Sequence, residues 1–299
     1  MTTVGRESRV PRQRDLSAAL LRLPIADAPL AFVDVETTGL DPWSGDRVCE
    51  VGIVRCQGEV EIDRLARLVN PLRPVSPGAY RINRINPGML AGAPTFDQIA
   101  REVSAALEGC VLVAHNAGFD VGFLARELAL AGLPRPAVQV VDTLSLARRQ
   151  YRFRHNGLSA LSAAFGLAET PHRALGDALA VRGIFRRIVA EALPAGSRVS
   201  ALLRLQGRTI DWPAAPAEPV DPPGELAEAI AMALLDGKRL LLVYESREGT
   251  KTERWVDPID LSSIGGEPCL IAYCHLREEQ RTFLLRRILR LSTSPEASE

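Results

Sequence analysis

Residues 30–40 read LAFVDVETTGL, an apolar run that ends in a glycine-containing turn. The run is typical of a buried strand, yet it carries Asp34 and Glu36 near its end. Side chains two residues apart on a strand share one face of the sheet, so the two carboxylates are neighbours. Like charges this close repel each other, whereas a divalent cation that prefers hard oxygen ligands reverses that cost. For this pair alone, a solvated strand end and a metal site are equally good interpretations.

Two later segments each bring one more acid to the start of a helix. In 111–127, VLVAHNAGFDVGFLARE, a short buried strand precedes His-Asn, a turn of small residues and Asp120. In 170–185, TPHRALGDALAVRGIF, His172 stands shortly before Asp177. Taken alone, Asp120 is more typical of a first-turn acid favoured by the helix dipole, and His172 of a surface or capping residue. Asp177 differs, because it shares a helix face with an apolar stripe, and an acid on a packing face needs a partner.

The apolar periodicities predict a mixed sheet with helices packed on it. Strands are expected at 30–36, 47–57, 60–70, 111–114 and 138–143, the second and third forming an antiparallel hairpin. Helices are expected at 95–108, at 119–131 and within 143–191, where Val181, Ile184 and Ile188 form the stripe beside Asp177. Three strands followed by alternating strand and helix indicate an α/β domain.

The chain divides into four predicted regions. They are a partly disordered leader with a short helix at 1–28, the α/β domain at 29–192, a Pro-rich linker at 193–224 and a small, mostly-β domain at 225–299. In the last region we expect a helix at 225–236 and strands at 240–246, 252–258, 268–274 and 281–285.

Composition and charge narrow the class of protein. The 36 basic and 36 acidic residues give zero formal net charge, which excludes a broad basic coat but not a local basic groove. The five cysteines include no CxxC pair, so reduced thiols in a cytoplasmic protein are expected. No apolar run is long enough to predict a membrane-spanning helix, and we expect no membrane partner.

The acidic segments occur in the order that is typical of a known nuclease family. The motifs are DVETTG (34–39), HNAGFD (115–120) and HRALGD (172–177), supported by PTFDQI (94–99), VVDTLSLAR (140–148) and HNGLSALSAAFGL (155–167). Over about 30–190 the chain resembles the DnaQ-like 3′→5′ exonucleases of the DEDDh subgroup. The resemblance implies an RNase H-like fold, with a mixed five-stranded sheet and flanking helices.

The resemblance also implies roles for single residues. The residues that match the four metal-binding acids are Asp34, Glu36, Asp120 and Asp177. They would hold two Mg²⁺ or Mn²⁺ ions about 4 Å apart around the scissile phosphate. Glu36 would also orient the attacking water, and His172 matches the general base, because a neutral imidazole can take the proton of that water.

Further positions in the motifs match residues around the substrate. Those that match the region lining the 3′-terminal nucleotide are Thr37, Leu40 and Asn116. For Leu40, plain packing of the turn is an alternative of nearly equal weight. His115 and His155 occur in the family pattern, and we assign them structural roles such as hydrogen bonds to the backbone. Asp142 ends a strand in a context that fits a helix N-cap, and it lies outside the predicted site.

The segment 226–289 resembles a WYL domain, a small SH3-like β module of bacterial regulators thought to sense nucleic acids or nucleotides. The matching features are Tyr244, TERWVDP at 252–258, LIAYC at 270–274 and RTFLLRRI at 281–288. The departures are Pro268, Cys269 and Leu270 at the namesake triplet, and Leu284 and Arg286 in place of an expected Arg and Asp. Arg281 and Arg287 of the pattern are present, and either could bind phosphate. A packing or oligomerisation module is an alternative of equal weight.

The sequence therefore predicts a metal-dependent 3′→5′ exonuclease that releases nucleoside 5′-monophosphates, with a stand-alone repair or processing role. Single-stranded DNA is the favoured substrate, and trimming of RNA 3′ ends is the alternative, because discrimination rests on contacts to a 2′-OH. A regulator that senses nucleic acid through the WYL-like domain is the alternative from another class. A polymerase partner is not indicated, since the sequence contains no polymerase domain and no convincing clamp-binding peptide.

Overall fold

The computed structural model describes residues 13–168, 172–213, 224–246, 249–264 and 267–293. Residues 1–12 of the predicted leader and residues 214–223 of the predicted linker lie outside these ranges. Within the leader, helix α1 spans Gln13–Arg22. Across the described ranges, no helix combines the length and the apolar character that crossing a bilayer requires.

The first domain is a mixed sheet flanked by helices, as predicted. Its strands are β1 (Pro29–Thr37), β2 (Val48–Gln57), β3 (Val60–Leu68), β4 (Val111–Ala114) and β5 (Val140–Asp142). Its helices are α2 (Pro77–Asn83), α3 (Pro87–Leu90), α4 (Phe96–Leu107), α5 (Gly118–Leu130), α6 (Thr143–Gln150), α7 (Leu158–Ala164) and α8 (Ala174–Ala192). The strand order is β3-β2-β1-β4-β5, with β1, β2 and β3 antiparallel and β4 and β5 parallel to β1.

The central strand β1 separates two buried layers because its side chains alternate between the two faces of the sheet. One layer contains Ala31, Val33 and Val35, together with residues of α4 and α5. The other contains Leu30 and Phe32, together with the predicted α8 stripe of Val181, Ile184 and Ile188. Asp34 and Glu36 continue the face of Phe32, so the strand directs both carboxylates toward the layer formed by α8.

The predicted linker at 193–224 is wrong in its first half. Residues Val199–Gln206 form helix α9, and Val199 and Leu202 are buried in the same layer as Phe32. The helix is only eight residues long, so its apolar spacing was a weak signal beside the Pro-rich stretch at 212–224. This segment is therefore part of the first domain's core.

The C-terminal region is an antiparallel sheet with one helix, which confirms the predicted small β domain. Its elements are α10 (Gly224–Asp236), β6 (Leu240–Glu245), β7 (Lys251–Ile264), β8 (Glu267–Cys274), β9 (Glu279–Leu284) and β10 (Ile288–Thr293), in the strand order β10-β6-β7-β8-β9. Strand β7 extends beyond the predicted end at residue 258, and β10 was not predicted. A helical turn at Leu285–Arg287 separates β9 from β10 inside one continuous apolar and basic run.

Candidate active site

The end of β1 brings two carboxylates to a third on α8. Side-chain oxygen atoms of Asp34, Glu36 and Asp177 all lie within 4.8 Å of one another. Asp177 stands in the first turn of α8 and is buried. The packing of α8 on the face of β1 that carries Phe32 explains this meeting, because it sets the first helical turn against the strand's end. Three of the four predicted metal ligands are thus brought together.

Asp120 joins this group from α5. Its Oδ1 accepts a 3.1 Å hydrogen bond from the backbone N–H of Val35, the residue between Asp34 and Glu36. The buried Asp120 carboxylate is also the strongest of the charged neighbours that raise the pKa of Asp34. Asp120 therefore lies beside the group formed by Asp34, Glu36 and Asp177, although it is not one of the three acids whose oxygens lie within 4.8 Å of one another.

Burial and mutual repulsion disfavour the charged forms of these carboxylates. Burial is the main cause for each, and it raises the pKa of Asp34 and of Asp120 well above their ordinary values. Burial followed by repulsion from Asp177 raises the pKa of Glu36 to about 9, and burial raises that of Asp177 to about 7. A cation held between the four carboxylates would favour their charged forms.

A buried oxygen atom tests whether the site fits a metal ion. Within the described residues, Asp177 Oδ1 is buried without a hydrogen-bond partner. An unsatisfied buried acceptor is costly, and a divalent cation is a suitable partner for it. Carboxylate oxygens are the ligands that Mg²⁺ and Mn²⁺ prefer. The residues present therefore fit a hard divalent cation.

His172 stands at the open side of the acid cluster. Its Nδ1 lies 4.0 Å from Asp177 Oδ2, and half of its side chain is exposed. Partial burial lowers its pKa below the usual 6.5, so the imidazole is neutral at pH 7 and can accept a proton. Its backbone has a φ of +50°, a left-handed conformation that is uncommon outside glycine.

The two other motif histidines differ in their surroundings. His115 Nε2 lies 2.9 Å from the backbone oxygen of Asn156, which can only accept, so this nitrogen carries the proton. Its Nδ1 lies 2.9 Å from Thr143 Oγ1, and burial lowers the pKa of the ring to about 4. The predicted structural role of His115 is confirmed. The side chain of His155 is exposed, and its predicted role stays a prediction.

Asp142 fixes the turn that precedes Asp120. Its Oδ1 accepts hydrogen bonds from the backbone N–H groups of Asn116 at 2.8 Å and Leu144 at 3.1 Å. The second bond confirms the predicted N-cap of α6, and the first adds a role that was not predicted. Oδ2 accepts a 3.0 Å bond from Arg208 Nη2, beyond α9. Asn116 has a φ of +61°, which asparagine tolerates better than most residues.

The turn after β1 has packing roles in the structure. Thr37 is buried, and its hydroxyl donates a 2.5 Å hydrogen bond to the backbone oxygen of Gly39. Leu40 packs against the core of the C-terminal domain, and Pro268 lines the small space beside it. The alternative of turn packing thus has direct support for Leu40, while contacts of Thr37, Leu40 and Asn116 with a substrate stay predictions.

Two residues at the site were not predicted. Glu50 lies opposite Glu36 on the neighbouring strand, and Asn83 donates a 3.3 Å hydrogen bond to the backbone oxygen of Thr37. The Asn83 amide also hydrogen-bonds the Glu36 side chain, which partly offsets the rise in its pKa. Glu50 interrupts the apolar run VCEVGIV at 48–54, the same signal that marked Asp34 and Glu36 in β1. Asn83 has no comparable signal.

The C-terminal domain contacts the first domain at a second place as well. The guanidinium of Arg154 lies 5.3 Å from the ring centre of Tyr273 and 3.7 Å from Asp257 Oδ2. The side chain of Gln280 lies beside that of Asn156, and the backbone oxygen of Asn156 accepts the hydrogen bond from His115. Together with the Leu40 contact, these interactions join the C-terminal sheet to the first domain at two places.

A second concave feature lies within the C-terminal domain. A cavity of about 440 Å³ is lined by Tyr244, Ser246, Arg254, Glu267, Arg281, Thr282, Phe283, Leu284, Arg286 and Arg287. Four of these residues are arginines, and a single lining residue is acidic. The Arg254 guanidinium lies 5.9 Å from the Tyr244 ring centre and 5.8 Å from that of Phe283. Arginine beside aromatic rings suits a phosphate and an attached base.

Comparison with family models separates the chain into the same two parts. A model described as Exonuclease, of the RNase T type, matches residues 31–185. A model described as WYL domain matches residues 225–293. The first range contains all four acids and His172, and the second contains the arginine-lined cavity.

Curated relatives resemble the first part. The chain is 37% identical over 166 residues to the DNA polymerase III subunit epsilon of Treponema pallidum, covering 52% of this chain and 74% of that protein. It is 33% identical over 159 residues to the 3′-5′ exonuclease DinG of Bacillus subtilis, covering 52% of this chain and 17% of that protein. A putative bifunctional exonuclease/endonuclease protein of Mycobacterium tuberculosis is 33% identical over 191 residues. That match covers 61% of this chain but only 30% of the length of the relative.

Among solved structures, the zinc-bound form of the E. coli ExoI–ssDNA complex has a similar fold. Its TM-score is 0.51 at 17% sequence identity, and the match covers 82% of this chain and 54% of that chain. The matched share extends beyond the residues that fit the exonuclease model, so the likeness in fold is not confined to the first domain.

Proposed function

Because the chain belongs to the exonuclease family, we propose that it hydrolyses nucleic acid from the 3′ end in a metal-dependent reaction and releases nucleoside 5′-monophosphates. The observation that carries this proposal is the meeting of Asp34, Glu36 and Asp177 at the end of β1, where Asp120 is hydrogen-bonded to the backbone of the same strand. A cation would lower the raised pKa values of Glu36 and Asp177, and it would give the unpartnered Asp177 Oδ1 a ligand partner. The cofactor in this proposal is a pair of Mg²⁺ or Mn²⁺ ions.

Each group in the site has a role in this reaction. Bound divalent cations would lower the pKa of a water molecule and stabilise charge on the leaving 3′ oxygen. The carboxylates of Asp34, Asp120 and Asp177 would hold the cations, and that of Glu36 would also orient the water. His172 accepts the water's proton as the new P–O bond forms and the bond to the 3′ oxygen breaks. Its lowered pKa supports this role, since the neutral imidazole is the form that can accept.

Single-stranded DNA is the proposed substrate. The relative named as a DNA polymerase III subunit supports DNA. In this proposal the C-terminal domain, which contacts Leu40 and Asn156 of the first domain, limits the substrate to a single strand. Thr37, Leu40 and Asn116 are the proposed contacts to the terminal nucleotide.

The test is the degradation of a 5′-labelled single-stranded DNA oligomer with Mg²⁺ or Mn²⁺, alongside an RNA oligomer of the same sequence. The wild-type protein is expected to shorten the DNA stepwise from its 3′ end, whereas Asp34→Ala is expected to leave it intact. No shortening, or equal shortening by both proteins, overturns the proposed activity. Faster turnover of the RNA oligomer would support the proposed exonuclease activity but would assign RNA as its substrate.

The arginine-lined cavity favours a second candidate function, in which the C-terminal domain senses nucleic acid. Arg254 and Arg287 line that cavity, where they would neutralise phosphates. Fluorescence anisotropy on Asp34→Ala, which keeps the oligomer intact, would measure binding across a salt series. The double variant Asp34→Ala/Arg254→Ala is expected to bind the oligomer more weakly than Asp34→Ala. The slope of log K against log salt is expected to become less steep by about one. An unchanged slope and affinity would remove the cavity from consideration.

A further inference from the structure

Glu50 presents an electrostatic problem that the four-acid site does not explain. It lies on β2 directly opposite Glu36 on β1, and its side chain is buried. Opposed residues on antiparallel strands have side chains in contact distance, and like charges there are destabilising. Glu50 is also one of the charges that raise the pKa values of Glu36 and Asp177. A fifth carboxylate in this cluster therefore needs a specific partner.

Arg173 is that partner, and it comes from the segment that carries His172. Its Nη2 donates to Glu50 Oε1 at 2.7 Å and its Nε to Glu50 Oε2 at 2.9 Å. The backbone N–H of Ala174 donates to the same Oε2 at 3.1 Å. Two parallel bonds from one guanidinium fix both distance and orientation, which a single charge–charge contact does not. Both oxygens of Glu50 are thus occupied by donors from the start of α8.

A close backbone approach supports this attachment independently. Gly52 lies two residues after Glu50 and therefore on the same face of β2. A Cβ atom at Gly52 would lie 2.3 Å from the backbone carbon of Ala174 and 2.4 Å from the backbone nitrogen of Leu175. Only glycine permits this approach, so the first turn of α8 rests directly on β2.

The attached segment carries two groups of the proposed reaction. Arg173 is the residue before α8, and its backbone oxygen accepts a 3.0 Å hydrogen bond from the N–H of Asp177. His172 immediately precedes it and has the unfavourable φ of +50°. A backbone held in such a conformation requires support from its surroundings. The Glu50–Arg173 pair supplies that support one residue away.

We propose that Glu50 and Arg173 form a positioning pair that holds Asp177 and His172 in place against β1 and β2. Glu50 is not a metal ligand in this proposal, because its two oxygens bind Arg173 and Ala174. The pair acts through Asp177 on cation binding and through His172 on proton transfer. The inference rests on the proposed nuclease function, and its test includes measurements that do not depend on catalysis.

The test compares Glu50→Gln, Arg173→Met and the double variant. Calorimetric titration of Mn²⁺ into metal-free protein is expected to show about 10–100-fold weaker binding in each single variant, as for partners that orient metal ligands. The double variant is expected to be no weaker than either single variant, because both remove the same interaction. In metal-free protein, amide hydrogen exchange over 172–178 is expected to become faster in all three.

Two further variants keep the result interpretable. Arg173→Lys keeps the charge but loses the paired donors, so its Mn²⁺ affinity is expected between those of wild type and Arg173→Met. The control is Glu61→Gln on β3, which removes a charge that pairs with Arg64 of the same strand and makes a 2.8 Å contact with Arg182 of α8. That contact also joins α8 to the hairpin but lies farther along the helix, so Mn²⁺ affinity and exchange at 172–178 should stay at wild-type values.

Three results would overturn the positioning pair. The first is wild-type Mn²⁺ affinity and exchange in Glu50→Gln. The second is weak binding in Glu50→Gln with normal binding in Arg173→Met, which would make Glu50 a metal ligand. The third is an equal loss in the Glu61→Gln control, which would indicate general loosening of α8. A wild-type protein without nuclease activity would overturn the proposed function but leave the exchange and Mn²⁺ comparisons valid.

Discussion

The backbone N–H of Val35 donates a 3.1 Å hydrogen bond to Oδ1 of Asp120, 85 residues away in the chain. Val35 lies between Asp34 and Glu36, so this bond ties the start of α5 to the part of β1 that carries both acids. The carboxylate cluster is therefore held by the main chain even before any cation binds. That arrangement allows the charge of Asp120 to be removed separately from its hydrogen bond.

Asp120→Asn tests this separation. The asparagine side chain can still accept the bond from Val35, but it removes a charge from the proposed metal site. We expect metal-dependent turnover to fall by more than the roughly 10–100-fold typical of mutated outer partners. We expect the metal-free protein to unfold at the same temperature or higher, because burial already disfavours the Asp120 charge. Activity near the wild-type level, or a large loss of stability in EDTA, would contradict this role.

His172→Gln is expected to affect chemistry more than binding. If His172 is the general base, kcat should fall by about 10²–10⁴-fold while KM and Mn²⁺ affinity change little. The acid limb of the wild-type kcat–pH profile should lie below pH 6.5, because partial burial lowers the pKa of His172. The variant should lack that limb. Unchanged kcat, or an unchanged acid limb in the variant, would assign the proton transfer to another group.

The stability of the metal-free protein should depend on pH in a specific direction. The folded protein holds protons on Glu36, with a pKa of about 9, and on Asp177, with a pKa of about 7. The unfolded chain has already released these protons, so stability is expected to fall as pH rises between about pH 5 and pH 9. Thermal unfolding in EDTA measures this slope, and Glu36→Gln should flatten it.

Addition of Mn²⁺ provides the corresponding control. A cation favours the charged carboxylates, so the rise in unfolding temperature on adding Mn²⁺ should be larger at pH 8 than at pH 5. A metal-free protein that becomes more stable with rising pH across this range would show that the four acids do not repel one another as proposed.

Arg208→Met tests the unexpected contribution of the segment beyond α8. In this variant the fully buried Asp142 loses its ion pair with Arg208, whose side chain is half exposed. We expect the free energy of unfolding to drop by about 1–2 kcal/mol, reduced by solvent screening of the guanidinium. Urea unfolding in EDTA measures it, with Arg204→Met on the exposed side of α9 as the matched control. Equal small effects in both variants would show that Arg208 does not support Asp142.

The elements around the four acids could be predicted because their signals are local. Alternation in β1 and the stripe on α8 each fix which way an acid points. The meeting of Asp34, Glu36 and Asp177 that the structure contains is predicted from the resemblance carried by the order of the motifs, and these two patterns agree with it. Asp120 could be predicted only through the order of the motifs, since a first-turn acid has an ordinary explanation of its own.

The supporting residues could not be predicted because their partners lie far away in the chain. Glu50 pairs with Arg173 across 123 residues, and Asp142 with Arg208 across 66. Neither arginine differs by type or spacing from the many others in the sequence. The left-handed backbone of His172 is likewise a product of tertiary contacts, since histidine has no local preference strong enough to impose it.

The most direct test of the central claim is the rate of 3′-nucleotide release from a single-stranded DNA oligomer, measured against Mn²⁺ concentration in wild type and Asp34→Asn. The account predicts a rate that rises with Mn²⁺ to saturation in the wild type, with nucleoside 5′-monophosphates as the product, and no Mn²⁺-dependent release in the variant. Equal Mn²⁺-dependent release by both proteins, or release by the wild type in EDTA, would contradict it.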